Sequence, residues 1–284
     1  MGIQFEKVNF CYPKNNQNQE TQALKDINLK IESKNEFIAL VGQTGSGKST
    51  LVQLMNTLLT TNTGKITIFG QTTNNKTSKN LLTALRKKVG LVFQFPEYQL
   101  FEATILKDVM FAPENFLNNK ESAQKKAKET LAKIGIQQNL YHKSPFQISD
   151  GQQRKVALAG VVAMEPDILI LDEPTRGLDS ISQINIMHFL QNLNMFFGKT
   201  IIVITHDMNL VANYAKRVVA LTQGKIIFDG SKESFFENPK FPSFNLDLPE
   251  TFKILNHLHN SLGIPFKPQY CFKNLLKYLK KFYD

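Results

Sequence analysis

A glycine-rich segment has the composition and spacing of a phosphate-binding loop. It reads GQTGSGKS, follows the apolar run FIALV and precedes the helical pattern STLVQLMNTLL. Glycines allow the backbone N–H groups to converge on a β-phosphate, a lysine reaches the β- and γ-phosphates, and a following hydroxyl binds Mg²⁺. The alternative, a glycine-rich turn of no consequence, fits the strand–loop–helix context poorly. The segment predicts a nucleoside triphosphate site formed by Gly42, Gln43, Thr44, Gly45, Ser46, Gly47, Lys48, Ser49 and Thr50, with Lys48 also catalytic and Ser49 a metal ligand.

Two acidic residues end the apolar run in DILILDEP, residues 167–174. Carboxylates at the end of a buried strand are costly unless a cation accompanies them. Asp172 is therefore predicted to hold Mg²⁺, and Glu173, one residue further from the metal, to orient or deprotonate the attacking water. A merely structural acidic turn is the alternative.

Two more polar side chains follow strand patterns. His206 ends TIIVITH and Gln94 ends VGLVFQ. If these strands lie in one parallel sheet, both side chains sit at its carboxyl edge, where ligands of such sheets bind. We predict that His206 faces the γ-phosphate and that Gln94 contacts the metal-bound water; for His206, a polar strand cap is the alternative.

The elements that must position these residues alternate between strand and helix. The first 40 residues have strand patterns, and residues 102–164 have helical periodicity, with a surface helix that ends at Gly135. Strand patterns return in DILILDE and TIIVIT, separated by the helical SQINIMHFLQNLNMF. This order is typical of a parallel sheet covered on both faces. We predict an α/β fold with a mostly helical piece at the end of the chain.

The charge and aromatic content of the chain bear on whether it binds nucleic acid. The net charge of +10 invites an anionic partner, but the 34 basic residues are dispersed and no aromatic-and-basic platform for stacking bases stands out. We therefore expect no nucleic-acid partner.

No apolar run approaches the ~20 residues of a membrane span. The N-terminus lacks a signal peptide, and Cys11 and Cys271 have neither metal nor redox spacing, so a soluble cytosolic protein is the simplest expectation.

A third loop, ISDGQQRK at residues 148–155, precedes another helical pattern. With the motifs above, it makes the chain resemble an ATP-binding cassette (ABC) ATPase, whose signature reads leucine-serine-glycine-glycine-glutamine. The resemblance implies a P-loop NTPase core with an N-terminal antiparallel part and an inserted helical subdomain. It also implies a head-to-tail pair of ATPases, in which Ser149, Gly151 and Gln152 close over the partner's ATP. Asp179 matches the loop that crosses between the sites, and Tyr12 matches the aromatic that stacks on adenine, with a core role for Tyr12 as the alternative.

Asp150 departs from that signature, because it stands at the first glycine. A carboxylate facing phosphate at ~5 Å and an effective dielectric constant of ~20 would cost on the order of 3 kcal/mol. We expect Asp150 instead to cap the helix start, where Asp is favoured. An acid in the signature suggests unequal sites, and so a heterodimer with a related but distinct ATPase.

Residues 93–115, FQFPEYQLFEATILKDVMFAPEN, narrow the resemblance. They are similar to the ATPase subunits of energy-coupling factor (ECF) transporters, importers of vitamins or metal ions. This implies a membrane scaffold protein that docks at residues 94–112, with Tyr98, Leu100 and Phe101 presented to it. It also implies a substrate-binding membrane subunit and a peripheral location on the cytoplasmic face of the cell membrane. Alternatives are the ATPase of another ABC transporter and a soluble ABC ATPase without a transport role.

The predicted domain organisation follows from this resemblance. Residues 1–242 form the nucleotide-binding domain, with its helical subdomain at about 95–165. Residues 243–284 form a C-terminal extension that contacts the dimer partner. The segment CFKNLLKYLKKFYD places Phe272, Leu275, Leu276, Leu279 and Phe282 or Tyr283 near one helical face, so it packs on its own domain or the paired ATPase, or alternatively on the membrane surface.

Overall fold

The computed structural model describes residues 1–13, 21–117 and 119–282. The strands are β1 Ile3–Tyr12, β2 Thr21–Ile31, β3 Phe37–Val41, β4 Thr63–Ile68, β5 Gln71–Thr73, β6 Val89–Val92, β7 Ile168–Asp172, β8 Thr200–Ile204, β9 Arg217–Thr222 and β10 Lys225–Ser231. The helices are α1 Lys48–Met55, α2 Lys79–Lys88, α3 Ile105–Leu117, α4 Lys120–Lys133, α5 Asp150–Val162, α6 Ser180–Phe197, α7 Met208–Tyr214, α8 Lys232–Phe236, α9 Glu250–Leu262 and α10 Phe272–Leu279.

Within these residues the strands form two sheets. The larger has the order β10-β9-β3-β8-β7-β6, and all of its strands are parallel except β10, which pairs antiparallel with β9. The smaller sheet is antiparallel and has the order β2-β1-β4-β5. The predicted α/β fold, a parallel core with an N-terminal antiparallel part, is confirmed.

The central strands of the larger sheet are apolar except for Thr200 at the start of β8 and Asp172 at the end of β7. Every residue of β3 and β8 is buried, and β7 is buried up to its last residue, Asp172, which is half-buried. Strands covered on both faces need such continuous apolar runs. Because the strands are parallel, their carboxyl ends meet at one edge, which is where the predicted site residues follow β3, β6, β7 and β8.

Helices α3, α4 and α5 form the predicted helical subdomain, and they share one core with residues from β7 and α6. Asn119 begins α4 by accepting a hydrogen bond from the Ser122 N–H group at 2.9 Å. Gly135, just after α4, has φ +82°, so the predicted end of this surface helix is confirmed. None of the helices in the described ranges has both the length and the apolar character needed to span a membrane.

The C-terminal piece is helical, as predicted, and it packs on the core through an aromatic cluster. Phe252 of α9 contacts Phe236 of α8, and Phe235 stacks on Phe244 at 5.7 Å between ring centroids. In α10, Leu275 is buried, whereas Phe272 and Leu276 on the predicted apolar face are exposed. Tyr283, which belongs to the same prediction, lies outside the described residues. The domain boundaries themselves stay a prediction.

Candidate functional site

The glycine-rich loop joins β3 to α1 in a conformation that requires glycine. Gly47 has φ +104°, and a Cβ on it would lie 2.7 Å from the Ala23 carbonyl oxygen. Gly42 has φ +142°, and its Cβ would lie 2.2 Å from the Leu221 carbonyl oxygen. Any side chain at these two positions would collide with backbone, so the loop is packed tightly against β2 and β9. Its amide groups and the N-terminus of α1 thus form a natural anion-binding cradle.

Lys48 begins α1 and lies across this loop. Its ammonium group donates to the Gly42 and Gln43 carbonyl oxygens at 2.7 and 2.8 Å. Burial lowers the pKa of Lys48, while the negative charges of Asp172 and Glu173 act in the opposite direction. A cation held by carbonyl oxygens, in the field of two carboxylates and at the mouth of an anion cradle, is well placed to move onto phosphate oxygens.

Asp172 and Glu173 stand side by side at the carboxyl end of β7. Burial raises the pKa of Asp172, the charge of Glu173 raises it further, and Lys48 offsets part of the effect. Glu173 has a left-handed backbone, with φ +48°, and its N–H group donates to the Ile204 carbonyl oxygen of β8 at 3.0 Å. The backbone bond fixes Glu173 between two central strands. The paired carboxylates carry more negative charge than their surroundings favour, which is the electrostatic condition for a nearby divalent cation.

His206 and Glu173 are brought into contact, as expected for neighbours at one sheet edge. His206 Nδ1 lies 2.6 Å from Glu173 Oε1, and the Thr205 hydroxyl donates to Glu173 Oε2 at 3.5 Å. The Glu173 side chain is 13% exposed, whereas that of His206 is 67% exposed. The histidine therefore covers the acid from the solvent side and restrains its carboxylate.

A cavity of about 410 Å³ gathers most of the predicted residues in front of this edge. Lys48, Ser49, Gln94, Asp172 and Glu173 all line it. Tyr12 lies on its rim, 37% exposed, with its hydroxyl 3.1 Å from Thr50 Oγ1, so it is not a core residue. The remaining lining residues of the described chain are Thr21, Gln22, Ala23, Thr44, Gly45, Gly47, Thr50, Arg176 and Ile204.

Some of these positions differ from the sequence predictions. Arg176, Gln22 and Ala23 were missed, although an arginine only three residues after Glu173 is a visible cationic signal beside a phosphate site. Of the predicted loop residues, Gly42, Gln43 and Ser46 do not line the cavity. Ser46 is buried, and its carbonyl oxygen accepts a hydrogen bond from the Gly224 N–H group at 3.0 Å. This bond holds the loop in shape, and the predicted role of Ser46 in binding phosphate stays a prediction.

The signature residues lie away from the cavity, at the N-terminus of α5. Ser149 is the N-cap residue, and its N–H group donates to Gln152 Oε1 at 3.3 Å. A Cβ on Gly151 would lie 2.8 Å from the Ser182 hydroxyl of α6. Asp179 caps α6 by accepting from the Ile181 and Ser182 N–H groups at 3.0 and 2.9 Å. The predicted signature and crossing loop therefore form one surface, separate from the chain's own phosphate loop.

The expectation that Asp150 caps α5 is wrong. Asp150 is the first helical residue, one position after the cap, and its side chain is exposed and hydrogen-bonds to none of the described residues. The capping position is one residue earlier because Ser149 takes the extended backbone, at ψ 156°. The carboxylate still lies beside the positive end of the helix dipole.

A second, smaller cavity of about 160 Å³ lies between residues 96–112 and α5. Phe101 and Phe111 meet edge to face on its rim, with 4.9 Å between ring centroids, and Tyr98 is 84% exposed nearby. Leu100 lines this cavity, as predicted, but it is 6% exposed and belongs to the core of the helical subdomain, so it is not part of the exposed rim. Asp108 fixes the backbone of this rim, because its Oδ2 atom accepts hydrogen bonds from the Phe101 and Glu102 N–H groups at 3.0 and 2.9 Å. We call this cavity and its rim the aromatic groove.

Comparison with known proteins agrees with this arrangement. Residues 24–176 match the family model described as ABC transporter. The chain is 42% identical to the energy-coupling factor transporter ATP-binding protein EcfA2 of Ligilactobacillus salivarius, over 98% of both chains. It is also similar in structure to cbiO1 of Clostridium perfringens, described as part of the ABC transporter complex cbiONQ, at 33% identity and a TM-score of 0.74 over 92% of this chain and 95% of that one. The dimeric ATP-binding cassette MJ0796, solved with ADP and Pi, matches at 32% identity and a TM-score of 0.71 over 81% and 98% of the two chains.

Proposed function

The chain belongs to the ABC transporter ATPase family, and on this premise we propose how its residues bind and hydrolyse ATP and where its partners attach. Its relatives over nearly full length are ATP-binding proteins of energy-coupling factor transporters. The chain is the ATP-binding and ATP-hydrolysing subunit of such a transporter. The observation that supports this role best is the meeting of Lys48, Asp172, Glu173 and Gln94 in one cavity at the carboxyl edge of the sheet.

The proposed binding mode follows the cavity from rim to floor. The adenine stacks on Tyr12, and the phosphates extend along the loop into the N-terminus of α1. Lys48 leaves the Gly42 and Gln43 carbonyl oxygens and neutralises the β- and γ-phosphates. The amide cradle and this one lysine together supply positioning and charge, which is most of what a protein contributes to phosphoryl transfer.

Glu173 is the proposed base or water-positioning residue. Its carboxylate is restrained by His206 and its backbone by the bond to β8, so it cannot turn freely out of the cavity. A fixed carboxylate orients a water molecule toward the γ-phosphate and receives its proton. His206 holds that carboxylate in place. It is not among the residues that line the cavity, and we propose that it faces the γ-phosphate once ATP is bound.

The residues present fit Mg²⁺ as the accompanying ion. Asp172, Ser49 and Gln94 would hold it through oxygen atoms, the ligands that Mg²⁺ prefers. No group of three or more His, Cys, Asp or Glu residues within the described ranges could hold a metal by itself, so phosphate oxygens of the nucleotide and water would complete the shell. When bound, the ion neutralises charge that develops on the phosphate oxygens.

We further propose that a related but distinct ATPase completes the site. The surface formed by Ser149, Gly151, Gln152 and Asp179 lies outside this chain's own cavity, which supports closure over a partner's ATP. The carboxylate of Asp150 is exposed and does not cap the helix, so this surface carries a negative charge where the family signature has a glycine. This difference favours two unequal sites in a heterodimer.

The aromatic groove is the proposed docking site for a membrane scaffold protein, within residues 94–112. Tyr98, Phe101 and Phe111 expose aromatic surface there, next to Gln94 of the nucleotide cavity. Apolar grooves of this kind receive the apolar face of a helix. A substrate-binding membrane subunit would complete an importer for a vitamin or metal ion, with this chain peripheral on the cytoplasmic face of the membrane.

Fractionation of lysed cells tests this assignment. The transporter subunit should sediment with membranes and be released by detergent together with membrane proteins. A soluble ABC ATPase that acts on DNA or ribosomes would instead remain with nucleic acid, and that result would contradict the transport role.

A further inference from the structure

Arg154 is a buried cation in α5, four residues after the exposed Asp150. It is 3% exposed, and its Nη2 atom lies 2.6 Å from Oε1 of the buried Glu97. Its Nη1 atom donates to the Arg176 and Pro174 carbonyl oxygens at 3.0 and 3.3 Å. Charged residues are buried in proteins almost solely when they are paired in this way.

The partners of Arg154 lie on separate segments of the site. Glu97 belongs to the turn Pro96–Gln99, between Gln94 of the nucleotide cavity and the aromatic groove. The Pro174 and Arg176 carbonyl groups belong to the loop that follows Glu173. Arg154 itself lies on the helix that begins with the signature. One guanidinium group therefore joins the turn beside the groove, the loop that follows Glu173 and the signature helix.

The turn that carries Glu97 is strained. Phe95, its cap residue, has φ +54°, a left-handed backbone that is costly for an aromatic residue. The Phe95 ring lies against the Arg154 guanidinium group, 5.5 Å from its carbon to the ring centroid. The turn therefore cannot shift without displacing Arg154.

The ion pair is incompletely satisfied. Glu97 Oε2 and Arg154 Nε are buried without a hydrogen-bond partner among the described residues. An arrangement selected for stability alone would satisfy these atoms or replace the pair by apolar side chains. A pair that leaves hydrogen-bonding capacity unused can exchange partners when a segment moves.

We propose that Arg154 is a positioning residue that transmits occupation of the aromatic groove to Glu173 and to the signature helix. A helix docked beside Tyr98 and Phe101 moves the turn Pro96–Gln99, Glu97 moves with it, and Arg154 shifts the loop after Glu173. The inference rests on the proposed docking at the groove and adds the residue through which docking sets the hydrolysis rate.

Arg154→Lys in the assembled complex is the test, because lysine keeps the charge but lacks the planar fork that spans Glu97 and two carbonyl groups. We expect the KM for ATP to stay within about twofold and kcat to fall about tenfold or more. The stimulation of ATP hydrolysis by the membrane partner, measured as the ratio of complex to isolated ATPase pair, should fall to nearly one. Glu97→Gln, which keeps the shape and removes the charge, should lower the same ratio.

Arg217→Lys is the matched control, since Arg217 also bridges several groups, Asp229 Oδ1 at 2.6 Å and Glu36 Oε1 at 2.7 Å, but lies on β9 away from the groove. It should lower the melting temperature without changing the stimulation ratio. If Arg154→Lys fails to fold, the stimulation ratio of the Glu97→Gln complex tests the same role of Arg154. A wild-type ratio in a folded variant would overturn the role of Arg154, whereas no stimulation in the wild-type complex would overturn the docking proposal itself.

Discussion

Replacing Glu173 by Gln should stop ATP hydrolysis while ATP binding continues. The substitution keeps the volume of the side chain, and the backbone bond to Ile204 is unaffected. The new amide can still hydrogen-bond with His206, which now lies 2.6 Å from the carboxylate. The change is thus confined to the charge and basicity of one group.

The expected magnitude follows from the role assigned to that group. A positioned general base contributes ~10²- to 10⁴-fold to a rate, so kcat should fall by at least about 100-fold, or about 2.7 kcal/mol of activation free energy. ATP affinity should be unchanged, because the phosphate loop and Lys48 remain. The assay is phosphate release by the purified complex at saturating ATP, with nucleotide binding measured on the same sample.

Glu165→Gln is the control, since Glu165 has a similar left-handed backbone, φ +56°, but lines a different cavity. It should hydrolyse ATP at the wild-type rate. Near-normal turnover of the Glu173→Gln complex would remove Glu173 from the mechanism. Loss of ATP binding would show instead that Glu173 shapes the cavity.

The other predictions concern the metal ligand, the signature and the groove. Asp172→Asn should abolish hydrolysis yet raise the melting temperature of the nucleotide-free protein near neutral pH. The pKa of Asp172 is raised in the folded state, so its ionised form destabilises that state at pH values above the pKa. Each 1 kcal/mol of destabilisation that the amide removes should add roughly 2–4 °C. An unchanged or lower melting temperature would contradict this. Asp150→Gly is tested in a heterodimer in which this chain also carries Glu173→Gln, so that only the partner's site hydrolyses ATP. If the exposed carboxylate repels the phosphate bound there, removing it should raise the rate of hydrolysis. An unchanged rate would exclude that repulsion. Phe101→Ser should release the ATPase from its membrane partner with its melting temperature unchanged, whereas Phe196→Ser, at a still more exposed phenylalanine near the end of α6, should not. Retention of the partner by Phe101→Ser would refute docking at the groove.

The sequence predicted the elements that carry the site because each has a strong local signal. β3, β7 and β8 are continuous apolar runs that end in polar residues, and the parallel order places those ends together. The sequence placed His206 and Glu173 at the same edge of the sheet, and the structure adds that they are in contact. Residues 33 positions apart meet because their strands are neighbours in the sheet.

The errors arose where a single position decides between two roles. Asp150 and Ser149 are both good capping residues, and only the backbone angles show that the serine takes the cap. Leu100 lines the groove as predicted, but the short turn before it leaves its side chain buried at the cavity while Tyr98 and Phe101 are exposed. The ion pair of Arg154 and Glu97 joins residues 57 positions apart, and no local sequence pattern predicts it.

The central claim is that this chain hydrolyses ATP for a membrane transporter together with a distinct ATPase. The most direct measurement is purification of the tagged chain from detergent-solubilised membranes of its own cells, with every stoichiometric partner identified by mass spectrometry. The account predicts one further ABC ATPase of different sequence and at least one protein with several membrane-spanning helices. Recovery of the chain alone, as a homodimer, or with nucleic-acid-binding proteins would contradict it.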